Sequence, residues 1–220
     1  MANRKRSIAA KNAHRLKRLL GRERELWDGG SERVAGVDEA GVGPLAGPIV
    51  AAAVAFPPGV GLKGVDDSKK LPPARRDELA GGIREAATAW SVIAVEPEEI
   101  DRLNIYQAGL VAMRRAVLAL DPAPQHVLVD GRGTIPDLEL PQECVIGGDA
   151  ACHAIAAASI LAKCERDRIM RDYVSAYLGY GFASHKGYPT AEHREAIRRL
   201  GPTPIHRRSF TLLPQPRLFD

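Results

Sequence analysis

The chain has 220 residues, 45% of them hydrophobic, enough to bury the core of one substantial domain with a small appendage. Its 31 Lys and Arg against 27 Asp and Glu leave a net charge of +4, which leans toward an acidic partner such as nucleic acid, although much of the excess lies in the first two dozen residues. No apolar run reaches a membrane span without glycine, proline or charge and no signal-peptide core opens the chain; Cys144, Cys152 and Cys164, at spacings that match no zinc pattern, read as reduced thiols of a cytoplasmic protein.

In chain order, residues 7–27 predict a basic helix with Ile8, Leu16, Leu19, Leu20, Leu26 and Trp27 as apolar contacts, ended by Gly29-Gly30-Ser31. Strands are expected over 33–39 and 47–56, and the Pro57-Pro58-Gly59 break leads through a loop to Asp67-Ser68-Lys69-Lys70. A helix over 73–87 opens on Pro72-Pro73, and a strand from Trp90 to Val95 completes a meander. The clearest helix follows. Pro97 and the acids Glu98, Glu99 and Asp101 suit its positive N-terminal end, and Ile100, Leu103, Tyr106, Leu110, Met113, Val117 and Leu120 recur at three- and four-residue steps. Strands over 126–130 and 143–146 and a helix over 151–177 complete α/β layers, with no internal repeat.

The acids that end these strands carry the chemistry. Asp38 and Glu39 close the apolar run Val34-Ala35-Gly36-Val37 and run into Gly41-Val42-Gly43. Strand neighbours point to opposite faces, so the pair serves one centre only where the pleat breaks down, which glycines allow. Asp130 closes Val127-Leu128-Val129 before Gly131, and Asp149 follows Val145-Ile146-Gly147-Gly148. Carboxylates at strand ends, without histidine or cysteine at ligand spacing, describe a hard-cation site of the Mg²⁺ or Mn²⁺ type. Asp66 and Asp67 compete but read as a turn and an N-cap. No Gly-Lys-Ser or Gly-Lys-Thr follows the glycine turn, which excludes a P-loop.

Gly36-Val37-Asp38-Glu39-Ala40-Gly41-x-Gly43-Pro44-Leu45-Ala46-Gly47-Pro48, Asp67-Ser68-Lys69-Lys70-Leu71, Val129-Asp130-Gly131, Gly147-Gly148-Asp149-Ala150, Ala157-Ala158-Ser159-Ile160-Leu161-Ala162-Lys163, Lys186-Gly187-Tyr188 and Gly201-Pro202-Thr203-Pro204-Ile205-His206-Arg207 stand in the order of bacterial ribonuclease HII, which residues 33–210 resemble. The resemblance implies a ribonuclease H-like mixed five-stranded sheet flanked by helices, with a small C-terminal helical portion. The chain then divides into a basic N-terminal helical extension over 1–30, a catalytic domain over 31–210 and a flexible tail over 211–220. The implied activity is a metal-dependent endoribonuclease, a monomer, that cleaves the RNA strand of RNA/DNA hybrids and nicks DNA 5′ of embedded ribonucleotides. Asp38, Glu39, Asp130 and Asp149 would hold a pair of Mg²⁺ or Mn²⁺ ions, leaving 3′-hydroxyl and 5′-phosphate ends.

By the same resemblance Gly41, Val42 and Gly43 read the ribose through backbone groups, and Lys69, Ser159 and Lys163 meet phosphate. Tyr188 is similar to the tyrosine that stacks on the deoxyribose beside the junction. Val42 stands where the family usually has arginine, which removes a phosphate contact and leaves the backbone and the acids. His153, His185, His193 and His206 are left out of the catalytic set, because a metal generates the nucleophile. A non-catalytic nucleic-acid-binding module and another metal-dependent nuclease or phosphotransferase remain the alternatives. Beyond the resemblance, Gln215-x-x-Leu218-Phe219 resembles the short peptide by which bacterial repair proteins dock on the sliding clamp.

Overall fold

A computed structural model describes residues 12–213. Gln215, Leu218 and Phe219, expected to dock on a clamp, and the first residues of the basic helix lie outside that range.

The N-terminal segment forms two helices where one was expected, α1 over residues 12–19 and α2, Gly21–Asp28. Leu19 and Leu20 are both buried, and an uninterrupted helix sends such neighbours about 100° apart. The break between the two helices falls at Leu20, whose ψ of 4° departs from the helical value. The sheet consists of β1 (Val34–Ala40), β2 (Ile49–Ala55), β3 (Ala89–Val95), β4 (His126–Asp130) and β5 (Gln142–Val145), in the order β3-β2-β1-β4-β5. β1, β2 and β3 pair antiparallel, whereas β1 with β4 and β4 with β5 run parallel. Such a mixed five-stranded sheet was expected.

A short 3₁₀ turn, Ser68–Lys70, and α3, Pro73–Ala86, separate β2 from β3. The expected long helix after β3 is two, α4 (Pro97–Leu103) and α5 (Ile105–Leu118). Asn104 stands between them at φ 71°, a conformation asparagine tolerates, and its side chain accepts from the Gln107 amide at 3.1 Å to cap α5. The helix expected over 151–177 is present as one continuous helix, and a separate short helix precedes it. α6 (Gly148–Ala151) ends at Cys152, which is extended, and α7 (His153–Ala176) begins after it. Glu23 of α2 accepts from the Ala154 amide at 2.8 Å, a cap supplied from a distant part of the chain that local spacing does not show. α8 (Phe182–His185) and α9 (Ala191–Leu200) form the C-terminal portion.

Two helices sandwich the sheet. α5 covers one face with Ala108, Ala112, Ala116 and Val117 against Val37, Ala51 and Val129. α7 covers the other with its alanine run against Val50, Ala52 and Val54. Gly36 sets the spacing on that side, since a Cβ there would stand 2.2 Å from the Ile155 nitrogen. Small residues on both elements let α7 lie close, so its side chains reach the ends of β1 and β4. Those two parallel strands end side by side, with Val37 opposite Val129, which puts Asp38 beside Asp130. Ligands in open α/β sheets gather beyond such carboxyl ends.

Candidate active site

Strand alternation sends Asp38 to the α7 face with Gly36 and Glu39 to the α5 face with Val37. Both still border one cleft of about 270 Å³, although β1 stays paired with β2 through Ala40 and the pleat does not break at the pair as expected. Asp130 joins them from β4, with Ser68, Lys69, Ser159, Lys163, Tyr188 and the Gly41-Val42-Gly43 turn around the rim. Asp149 sits just outside on α6. Its Oδ2 lies 3.8 Å from Lys69 Nζ, and the preceding Gly148 amide donates to Asp130 Oδ1 at 2.7 Å.

The acids strain against one another. Burial, then the charges of Glu39 and Asp130, hold Asp38 well above the usual carboxylate range, while Ser159 and the Glu39 amide pull it down. Burial and Asp130 push Glu39 up to about 7. Burial and Asp149 raise Asp130, against the opposing Gly148 amide. Burial alone would depress the Lys69 ammonium, but the field of Asp149, Asp38, Asp67 and Asp130 outweighs it and raises it. Among the described residues no three acids, histidines or cysteines already converge tightly enough to grip an ion. A divalent cation bound among these acids would favour their ionised forms.

These residues fit such a cation. Asp38 is 5% exposed, and Glu39 Oε2 is buried without a hydrogen-bond partner among the described residues. An orphaned carboxylate oxygen in an oxygen-only donor set suits Mg²⁺ or Mn²⁺ and suits neither zinc nor copper. The competing acids have structural duties. Asp67 accepts from the Lys69 amide at 3.0 Å, and Asp66 pairs with Arg15.

The basic and aromatic residues are placed less simply. Ser159 Oγ lies 2.9 Å from Ser68 Oγ, and Ser68 had no assigned role in the sequence reading. Lys163 is not a free solvated lysine. Its Nζ binds Asp167 at 2.6 Å, Asp167 is held by Arg76 at 2.9 Å, and the ammonium lies 5.8 Å from the centre of the Tyr188 ring. Tyr188 is 40% exposed across from Gly43.

His153, His185, His193 and His206 are all buried and do not line the cleft. His193 Nε2 meets His206 Nε2 at 3.1 Å beneath the Tyr188 loop, and Nδ1 meets the Tyr188 carbonyl at 2.9 Å. Sequence reading missed Arg166 and Arg207, fully buried guanidinium groups behind the glycine turn. Burial pushes them down, to about 10 and about 9. A long cation within the small-residue packing face of α7 was the available signal for Arg166.

The family model for Ribonuclease HII matches residues 35–213. The chain belongs to the ribonuclease HII family. That family comprises endoribonucleases acting on RNA/DNA hybrids. A Ribonuclease HII of Anaeromyxobacter sp. is 59% identical over 89% of this chain and 62% of its own length, so the chain spans less than two thirds of that relative. A Ribonuclease HII of Moorella thermoacetica is 54% identical over 92% of this chain and 98% of its own length. Among solved structures, the ribonuclease HII of Archaeoglobus fulgidus, in a complex with PCNA, superposes at TM-score 0.67 with 28% identity over 84% of this chain and 98% of that one. The fold is ribonuclease H-like.

Proposed function

We propose that this chain cleaves the RNA strand of RNA/DNA hybrids and nicks duplex DNA 5′ of an embedded ribonucleotide, leaving 3′-hydroxyl and 5′-phosphate ends. The observation that carries the reading is the meeting, in one cleft, of strand-end carboxylates with an exposed glycine turn and Tyr188. Asp38, Glu39, Asp130 and Asp149 would hold a pair of Mg²⁺ or Mn²⁺ ions, which supply Lewis acidity toward the attacking water and the leaving 3′-oxygen. Glu39 reaches from the α5 face and Asp38 and Asp130 from the α7 face, so the acids approach a phosphodiester from two sides. Lys69 offsets their charge toward substrate phosphate, with Ser159 and Lys163 behind it. The turn reads the ribose at backbone range, and Tyr188 stacks on the neighbouring sugar. The buried histidines are engaged elsewhere, so the substrate 2′-hydroxyl is recognised and is not the nucleophile.

The test is cleavage of duplex DNA with one embedded ribonucleotide, with Mg²⁺ and with chelator. Asp38→Asn and Asp130→Asn should each lose at least about 100-fold in turnover while still binding duplex. Ordinary turnover by either variant in Mg²⁺, or wild-type cleavage that survives chelation, refutes the metal assignment. A duplex without ribose that is cut as fast refutes the substrate.

The chain acts in this reading as a cytoplasmic monomer with a catalytic unit over 31–210. Among the described residues no helix is long and apolar enough to cross a membrane. We further propose that the tail docks on a sliding clamp through Gln215, Leu218 and Phe219, which raises the local concentration of enzyme on DNA. The complex of the Archaeoglobus relative with PCNA supports that class of partner. Joint substitution of Leu218 and Phe219 by alanine should abolish clamp binding and leave cleavage of a short free duplex unchanged. Equal clamp binding by both proteins refutes the docking.

A further inference from the structure

Arg207 is 0% exposed, and its donors all go to backbone carbonyls. Nη2 donates to Gly41 O at 2.6 Å, Nη1 to Val42 O at 3.1 Å and Nε to Gly47 O at 3.0 Å. The side chain is itself anchored. Its own amide donates to Leu45 O at 2.9 Å, Asp101 accepts from the next two amides at 2.8 and 2.9 Å, and the guanidinium lies 5.2 Å from the centre of the Phe210 ring.

A trans peptide sets C=O and N–H on opposite sides of its plane. The Gly41 carbonyl faces inward onto Arg207, so the Val42 amide faces away from it. The Val42 carbonyl likewise turns the Gly43 amide outward. Neither amide has an acceptor among the described residues, and both residues border the cleft. Successive outward amides make a concavity for an oxygen carrying lone pairs or negative charge. A cation on the carbonyl of each peptide polarises its N–H and strengthens the bond that the N–H donates. Gly41 permits this at φ 105°, and a Cβ there would strike Arg166.

We propose that Arg207 is a positioning residue for ribose recognition: by gripping the Gly41 and Val42 carbonyls it aims and polarises the Val42 and Gly43 amides toward a substrate oxygen. The inference rests on the reading of the turn given above. The shared chemistry is an oxygen acceptor, either the ribose 2′-oxygen or a phosphate oxygen, and the choice of duplexes separates them. Arg207 supplies through the backbone a positive influence that the apolar Val42 side chain does not.

The experiment measures binding of otherwise identical duplexes, all-DNA and with one ribonucleotide, in chelator to prevent cleavage. Wild type should prefer the ribonucleotide duplex; if it shows no preference, the reading of the turn fails first. Arg207→Lys retains the charge but not a fork that spans three carbonyls. With its melting temperature and circular dichroism showing a folded chain, it should lose about tenfold of that preference, the worth of one good hydrogen bond, and keep its all-DNA affinity. A parallel loss on both duplexes assigns the oxygen to phosphate recognition and overturns the ribose role, as does an unchanged preference. If Arg207→Lys does not fold, Phe210→Leu, which loosens the guanidinium from its ring, is held to the same criteria with a smaller loss of preference expected. Arg166→Lys is the comparison, because Arg166 binds the carbonyls of Ala46, Pro48 and Lys186 and none of the outward peptides. A preference lost equally in Arg166→Lys and Arg207→Lys marks general loosening of the segment and overturns the specific role.

Discussion

Val42 is 46% exposed on the rim of the acidic cleft, and its backbone is held from behind, so its side chain is free to change without disturbing the turn. Val42→Arg should therefore fold normally and place a cation where phosphate passes. Binding of duplex should tighten, and the slope of log affinity against log salt should steepen by about one unit, as one further phosphate is neutralised. A slope equal to wild type would show that another basic residue already occupies that phosphate. The cysteines illustrate how environment decides reactivity at this scale. Burial pushes the thiols of Cys152 and Cys164 up, to about 12 and about 11, whereas Cys144 is only half-buried. An alkylating reagent near neutral pH should modify Cys144 first, read by mass spectrometry, and leave the other two until the chain unfolds.

The approach of α7 to β1 is the contact between elements on which the site geometry depends. Gly36→Ala places a methyl group 2.2 Å from the Ile155 nitrogen and 2.8 Å from the Ala154 Cβ, backbone and packed side chain that have little room to yield. It should cost about 1–3 kcal/mol of stability and lower cleavage as Ser159 and Lys163 move, measured by thermal unfolding and turnover together. In the C-terminal portion the histidines give a second element-scale expectation. Burial lowers His193 below its usual 6.5, and burial with the neighbouring His193 lowers His206 to about 4. Between those values the unfolded chain binds more protons than the folded one. Their contribution is therefore complete above about pH 6.5 and is lost as pH falls toward 4. The melting temperature should drop from pH 7 to pH 5, and His206→Asn, which no longer titrates, should show a smaller drop; an equal drop in both contradicts the assignment.

Across the whole molecule, the N-terminal helices and the catalytic half are one packed unit. Glu23 of α2 is 1% exposed and caps α7 through the Ala154 amide, while burial raises its carboxyl and its second oxygen has no partner among the described residues. Glu23→Gln, which keeps an acceptor and sheds the buried charge, should be neutral or stabilising. Glu23→Ala should cost about 1–2 kcal/mol, checked by denaturant unfolding, and both results follow from a cap that does not need its charge. The sequence by itself determined the α/β layering, the strand that carries Asp38 and Glu39, and the glycine turn after it, because apolar periodicity and strand-ending glycines are local signals. The ordered motifs also located the family. Only the tertiary structure decided that α7 is capped from residue 23, that Lys163 is tied to Asp167, and that Arg207 stands behind residues 41 and 42. Each of those depends on a partner or a fold of the backbone outside the local pattern, and the periodicity of a segment carries no information about which distant group will satisfy its ends.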